Sequence, residues 1–179
     1  MEMKTKETHP IGVALQLLLS GLCAQKRSLR VAAIQLGNVL AVEIKAHADD
    51  LPKLVGKEGK HLAAINLLLR KMGERAKLKV VPNLLEPPAR STVKPPGFRE
   101  NPHWKSDEAR QALDATLGQL FRTHPIVEEL NMEKVSIFQV VPRGGETMDE
   151  ELENALAILF DATGKAQGRL IQLTGPERK

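Results

Sequence analysis

The sequence predicts an α+β protein built from two domains, and three observations carry that prediction. Segments with helical and with strand periodicity alternate on both sides of a proline-rich stretch at 86–105. A Gly37-Asn38 pair separates two strand-like runs, which is a two-residue hairpin signal. The charge reverses across the proline-rich stretch: residues 51–105 hold 12 Lys/Arg against 4 Asp/Glu, and residues 106–160 hold 4 against 11. Such asymmetry points to different partners for the two halves, to two solvated faces that merely differ, or to a basic half docked on an acidic one, and composition alone does not separate these.

Residues 1–8, MEMKTKET, are polar and read as a frayed end. His9 and Pro10 open an apolar segment read as a helix from about 9 to 25, with Val13, Leu17 and Ser20/Gly21 on one face and Ala14, Leu15, Leu18 and Leu22 nearby. LRVAAIQL and VLAVEIKAHA follow as two antiparallel strands. In the second, Leu40, Val42, Ile44 and Ala46 share one side while Glu43, Lys45 and His47 face the other. Asp49 and Asp50 suit the N-terminus of a short helix with Leu51, Leu54 and Val55 on its buried side. A second helix is expected from Lys60 to about Met72, with a stripe of Leu62, Ile65, Leu69 and Met72 and Leu68 beside it. Gly73 is read as its stop, and LKVVPNLL as a third strand.

The stretch 86–105 contains Pro87, Pro88, Pro95, Pro96 and Pro102 and reads as an extended linker, with Trp104 as a packing anchor or, alternatively, a partner contact. Beyond it, a helix from Ser106 to about His124, the strand VSIFQVV, a helix opened by the capping box Thr147-Met148-Asp149-Glu150 and the strand RLIQL give a smaller αβαβ domain. The domains are therefore 1–85, the linker 86–105 and 106–179. AINLLLRKMGERAKLKVV and ALAILFDATGKAQGRLIQL echo each other once a one-residue gap is allowed. A degenerate repeat and generic helix-to-strand chemistry both account for that echo.

Several function classes find no support. No apolar run is long enough to span a bilayer and no signal-peptide pattern appears, so a cytoplasmic, non-membrane protein is expected. The single Cys23 fits a reducing compartment and reads as a small buried hydrophobe. His9, His47, His61, His103 and His124 form no metal-binding spacing, and neither metal nor cofactor is expected. His47-Ala-Asp49-Asp50 reads as capping and turn residues, and Arg143-Gly144-Gly145 as a strand-to-helix turn that lacks a P-loop ending. No nucleophile motif or acid–base pair suggests an enzyme.

The candidate binding unit is Gly56-Lys57-Glu58-Gly59. A GxxG match is expected by chance about once in a chain of this length, so context decides its meaning. Here it lies between a short helix and a longer one, where free N–H groups and the helix dipole favour an anion. Its glycines permit close backbone approach, and Lys53, Lys57, Lys60 and His61 surround it. Glu58 introduces a negative charge beside that path. There is no Tyr, and the first aromatic residue is Phe98, so the basic half has no stacking platform.

The order helix, strand, strand, short helix, GxxG, helix, strand over about residues 9–84 resembles the small bacterial KH-domain proteins of the type II arrangement. Asp49, Asp50, Val55, Gly56, Lys57 and Gly59 carry that resemblance. It implies a three-stranded sheet with helices on one face and single-stranded RNA binding. Gly56, Lys57, Glu58 and Gly59 would clamp the backbone, while Val55, Leu62, Val42 and Ile44 would form groove floor or core. On this reading Lys53, Val55, Gly56, Lys57, Glu58, Gly59, Lys60 and His61 are the nucleic-acid-binding residues. The alternative is a KH-fold protein-interaction or assembly module without RNA binding, in which the acidic C-terminal domain meets a protein partner or covers the basic groove.

Overall fold

The structure, a computed structural model, describes residues 9–85, 106–132 and 134–176. The expected linker, with Phe98 and Trp104, lies outside the described residues. The first half comprises α1 (Pro10–Ser20), β1 (Arg30–Leu36), β2 (Val39–Lys45), α2 (Leu51–Val55), α3 (Lys60–Ala76) and β3 (Lys79–Leu85). β1 and β2 pair antiparallel with Leu36 opposite Val39, so Gly37-Asn38 is the two-residue turn, and Gly37 supplies its positive φ of 60°. β3 returns through α3 to pair parallel with β2, giving the sheet order β1-β2-β3.

The period-two reading of β2 holds. Leu40, Val42, Ile44 and Ala46 are all buried under the helices. Helix limits differ from expectation for local reasons. α1 is capped by His9, whose Nδ1 accepts the N–H of Ile11, and it ends at Ser20 instead of continuing to 25. Its buried face is Ile11, Ala14, Leu15, Leu18 and Leu19, whereas Val13 is 46% exposed. α3 runs through Gly73 to Ala76 and is closed by Lys77 in the left-handed conformation. Gly73 is thus not a stop. A Cβ there would lie 2.5 Å from Val80 Cγ2 and 2.8 Å from the Leu78 carbonyl, so glycine lets α3 approach β3.

The second half contains α4 (Ser106–Leu120), β4 (Ile126–Met132), β5 (Val135–Val141), α5 (Glu150–Ala166) and β6 (Leu170–Thr174). Its order is αββαβ, correcting the αβαβ expectation, and β4 is the missing strand. The sequence IVEELNM hides β4 because most of its apolar residues face solvent: Leu130 is 57% and Met132 53% exposed, and only Val127 packs toward the core. β4 pairs antiparallel with β5, and β6 parallel with β5. The helix cap also shifts by two residues, since Asp149, not Thr147, accepts the N–H of Leu152 at 2.8 Å.

The two halves repeat one another in detail. Ala64, Ile65, Leu68, Leu69, Met72 and Gly73 of α3 match Ala155, Leu156, Leu159, Phe160, Thr163 and Gly164 of α5, and all twelve are buried. Leu78 N–H donates to the Gly73 carbonyl and Arg169 N–H to that of Gly164, each at 2.8 Å. The correspondence runs into β3 and β6 without the one-residue gap that the sequences alone required. A further parallel follows β2 and β5. Buried Asp50 accepts the N–H groups of Ala24 and Gln25, both at 2.9 Å, and Glu146 accepts those of Arg122 and Thr123, both at 2.9 Å. In each half a carboxylate thereby ties the turn after the first helix to the end of the second strand. Between that carboxylate and the long helix the first half carries α2 and GKEG; the second has only residues 147–149.

The halves pack helix to helix, α1 on α4 and α3 on α5, and their buried residues form one continuous apolar cluster. Burial of this apolar surface supplies most of the attraction. Ion pairs among the described residues cross the boundary, among them Lys26–Glu108 at 3.6 Å, Arg70–Glu151 at 3.6 Å and Lys71–Asp149 at 2.6 Å. In each of these the cation comes from the basic half and the carboxylate from the acidic one. Docking therefore accounts for part of the charge asymmetry. Each exposed pair contributes only about 0–1 kcal/mol, so the pairs orient the halves more than they bind them. A buried bond from Gln167 Nε2 to the Gly21 carbonyl, 3.0 Å, ties the end of α5 to the end of α1. Among the described residues, no helix is long and apolar enough to cross a membrane.

Removing the Asp50 carboxylate leaves two N–H donors without their acceptor. Asp50→Ala should cost roughly 2–4 kcal/mol in urea unfolding, and a loss below about 0.5 kcal/mol would rule out the clamp as a structural tie. A second expectation concerns acid. The N–H groups of Arg122 and Thr123 hold Glu146 below its ordinary 4.5, and Lys71, then the Leu152 N–H, hold Asp149 below its ordinary 3.8. Both contributions are present above those ordinary values and are lost as pH falls through the depressed folded-state values. Glu146→Gln and Asp149→Asn should each flatten the fall of Tm below pH 4.5; profiles parallel to wild type would contradict this.

Candidate nucleic-acid interface

The GKEG unit is a tight, partly left-handed turn between α2 and α3. Gly56 has φ 75° and ψ 172°, Glu58 has φ 56° and ψ 25°, and Gly59 has φ 73° and ψ 14°. Residues 57–59 form a single 3-10 turn, and the N–H of Gly59 donates to the Gly56 carbonyl at 3.2 Å. Glu58 is the costly member, because a non-glycine residue in the left-handed region loses on the order of 1–2 kcal/mol. No side chain caps the start of α3, while the N–H of its first residue, Lys60, donates to the Lys57 carbonyl.

The side chains around the turn divide by role. Lys57, Glu58 and Lys60 are exposed, and among the described residues none makes an ion pair or side-chain hydrogen bond. Lys53 lies 3.5 Å from the buried Asp50 carboxylate. His61 is half-buried and acts as a structural prop. Its Nδ1 sits 2.6 Å from the Lys53 carbonyl, which makes it the donor nitrogen, and its ring fills the space beside Gly56. A Cβ on Gly56 would meet that ring at 2.5–2.8 Å, whereas one on Gly59 would meet nothing within 4 Å. Asp50 occupies the expected N-cap position of α2, yet its side chain makes no cap bond and is committed to Ala24 and Gln25.

Val42 and Ile44, expected as groove floor or core, are core: they are 0% and 2% exposed. Val55 and Leu62 remain half-buried at the surface. The concavity that does adjoin the loop opens on another side. A cleft of about 340 Å³ has Pro52, Lys53, Gly56, Lys57 and His61 on one wall. The facing wall is the C-terminal end of α5, with Asp161, Ala162, Lys165 and Ala166, and Leu22 completes the lining. Lys60, Val55 and Leu62 are not part of it. The α5 contribution escaped sequence reasoning because nothing local indicates that residues a hundred positions away meet this loop.

Cys23 lies close behind the loop, 1% exposed. Burial, then the Asp50 charge, pushes its thiol up to about 12, with Lys53 acting in the opposite sense. It is therefore a packing residue and not a reactive one.

The two glycines should differ on substitution. Gly59→Ala, which meets only the left-handed penalty, should cost about 1 kcal/mol. Gly56→Ala adds a clash with the His61 ring and should cost roughly 2–4 kcal/mol in chemical denaturation. Adding His61→Ala to Gly56→Ala should recover part of that loss. Equal costs at both glycines would show that His61 does not set the requirement at Gly56.

No protein-family model matches this chain and no curated protein is significantly similar to it, which leaves the site's own chemistry to indicate what it binds.

Proposed function

We propose that this chain is a non-catalytic binder of single-stranded RNA that holds the nucleic-acid backbone on the GKEG loop, in the manner of a type II KH domain. One observation carries this reading. Lys57 and Lys60, without ion pairs among the described residues, flank an α3 N-terminus that no side chain caps, on a turn where the space beside Gly59 is open to an approaching backbone. The αββ–α–GxxG–αβ order and the antiparallel-then-parallel sheet agree with that arrangement. The ion pairs at the boundary between halves use Lys26, Arg70 and Lys71, so docking does not consume the loop lysines. The second half, with only three residues where α2 and GKEG would stand, supports the sheet-and-helix packing but carries no equivalent clamp.

A second reading is favoured by the outer face of the β4-β5-β6 sheet. There Leu130 opposes Ile137, and Met132, Val135 and Leu170 lie in register, leaving apolar side chains toward solvent. That face suits a protein-interaction or assembly module.

Lys57→Asp with Glu58→Asp reverses the charge at Lys57 while keeping both glycines and an acidic residue tolerated in the left-handed region. This double variant should keep its Tm and lose at least about tenfold in affinity for short single-stranded RNA, with a shallower salt dependence. Equal binding by wild type and variant, or no binding by either, removes the RNA reading and leaves the assembly module.

A further inference from the structure

Resting on the RNA reading above, we propose that the bound strand runs through the cleft between the GKEG loop and the C-terminal end of α5, with Lys57 and Lys165 taking phosphates from opposite walls. The second half is then part of the binding site instead of a bare scaffold.

The cleft's composition suits a nucleotide. Three lysines, Lys53, Lys57 and Lys165, face one carboxylate, Asp161, with His61 beside them. Cations on both walls can neutralise a backbone that enters between them, which the loop alone does only from one side. Ala162 and Ala166, one turn apart on α5, keep the facing wall low and apolar. The volume of about 340 Å³ lies at the small end of ligand clefts, roughly 300–1,000 Å³, and matches one nucleotide better than a folded partner.

Position and accessibility agree. The buried Gln167–Gly21 bond holds the end of α5 beside the end of α1, next to Leu22 in the lining. The unfavourable negative end of the α5 dipole is tempered, because the N–H groups of Gln167, Gly168 and Arg169 cover its last carbonyls. Lys165 is 74% exposed and pairs with Asp161 at 2.8 Å. Asp161 therefore competes with phosphate for Lys165, which gives the proposal a sign that a one-walled site lacks.

The test uses the full chain and a labelled U12 RNA, titrated across a salt series. Lys165→Gln should weaken binding roughly fivefold and flatten the log–log salt slope by about 0.7, the value for one phosphate on a single strand. Asp161→Asn should tighten binding about threefold, and Lys165→Arg should stay near wild type. All three should keep the wild-type Tm. Unchanged affinity and slope in Lys165→Gln and Asp161→Asn, alongside lost binding in the Lys57→Asp/Glu58→Asp variant, would overturn the two-walled cleft and leave the RNA reading intact. No loss in that loop variant, or no binding by wild type, would overturn both.

Discussion

The geometry of the candidate site depends on the Asp50 carboxylate. It is fully buried, it accepts two N–H groups from the turn after α1, and it stands one residue before α2. The loop that follows is thereby fastened to the helix layer before its glycines turn the chain. Gln167 then fastens α5 to the same end of α1. Both walls of the cleft consequently refer to one anchor, and their separation is set by buried polar bonds that are expensive to break. Those bonds hold the exposed loop, which has few apolar contacts of its own.

The second half shows what that anchor does without a glycine loop attached. Glu146 makes the same pair of bonds, yet its strand passes almost directly into α5. The carboxylate tie is thus separable from the α2–GKEG insertion within one topology. The helix-facing surfaces of both sheets follow the same plan, down to the glycines Gly73 and Gly164 that admit the closing strand. The difference lies in the loop and in charge: the half with α2 and GKEG is basic, and the half without them is acidic and supplies carboxylates to the boundary between halves.

What could be read from the sequence was local periodicity backed by burial. β2 showed through because Leu40, Val42 and Ile44 alternate with polar residues, and the hairpin because Gly37-Asn38 leaves few other turns. β4 did not, since an edge strand with exposed apolar residues and acidic neighbours carries no inward pattern. The glycine turn was legible as a unit, but the roles within it were not. Asp50 looked like a helix cap and proved to be a tertiary clamp; His61, expected at the binding surface, lines the cleft and also packs against Gly56. Lys165 and Asp161 were invisible because only long-range packing brings α5 to the loop.

The pairing of equivalent helices, α1 with α4 and α3 with α5, also bears on how copies of the chain can meet. Each half presents to the other a surface that recognises the same partner face on any second molecule. Because residues 86–105 join the halves, a chain can close on itself, or two chains can exchange halves and satisfy every one of the same contacts twice. The closed monomer is favoured by the entropy of holding both halves on one chain, and the exchanged dimer gains only as concentration rises. An interface of this symmetry permits reciprocal exchange between two chains without any new surface.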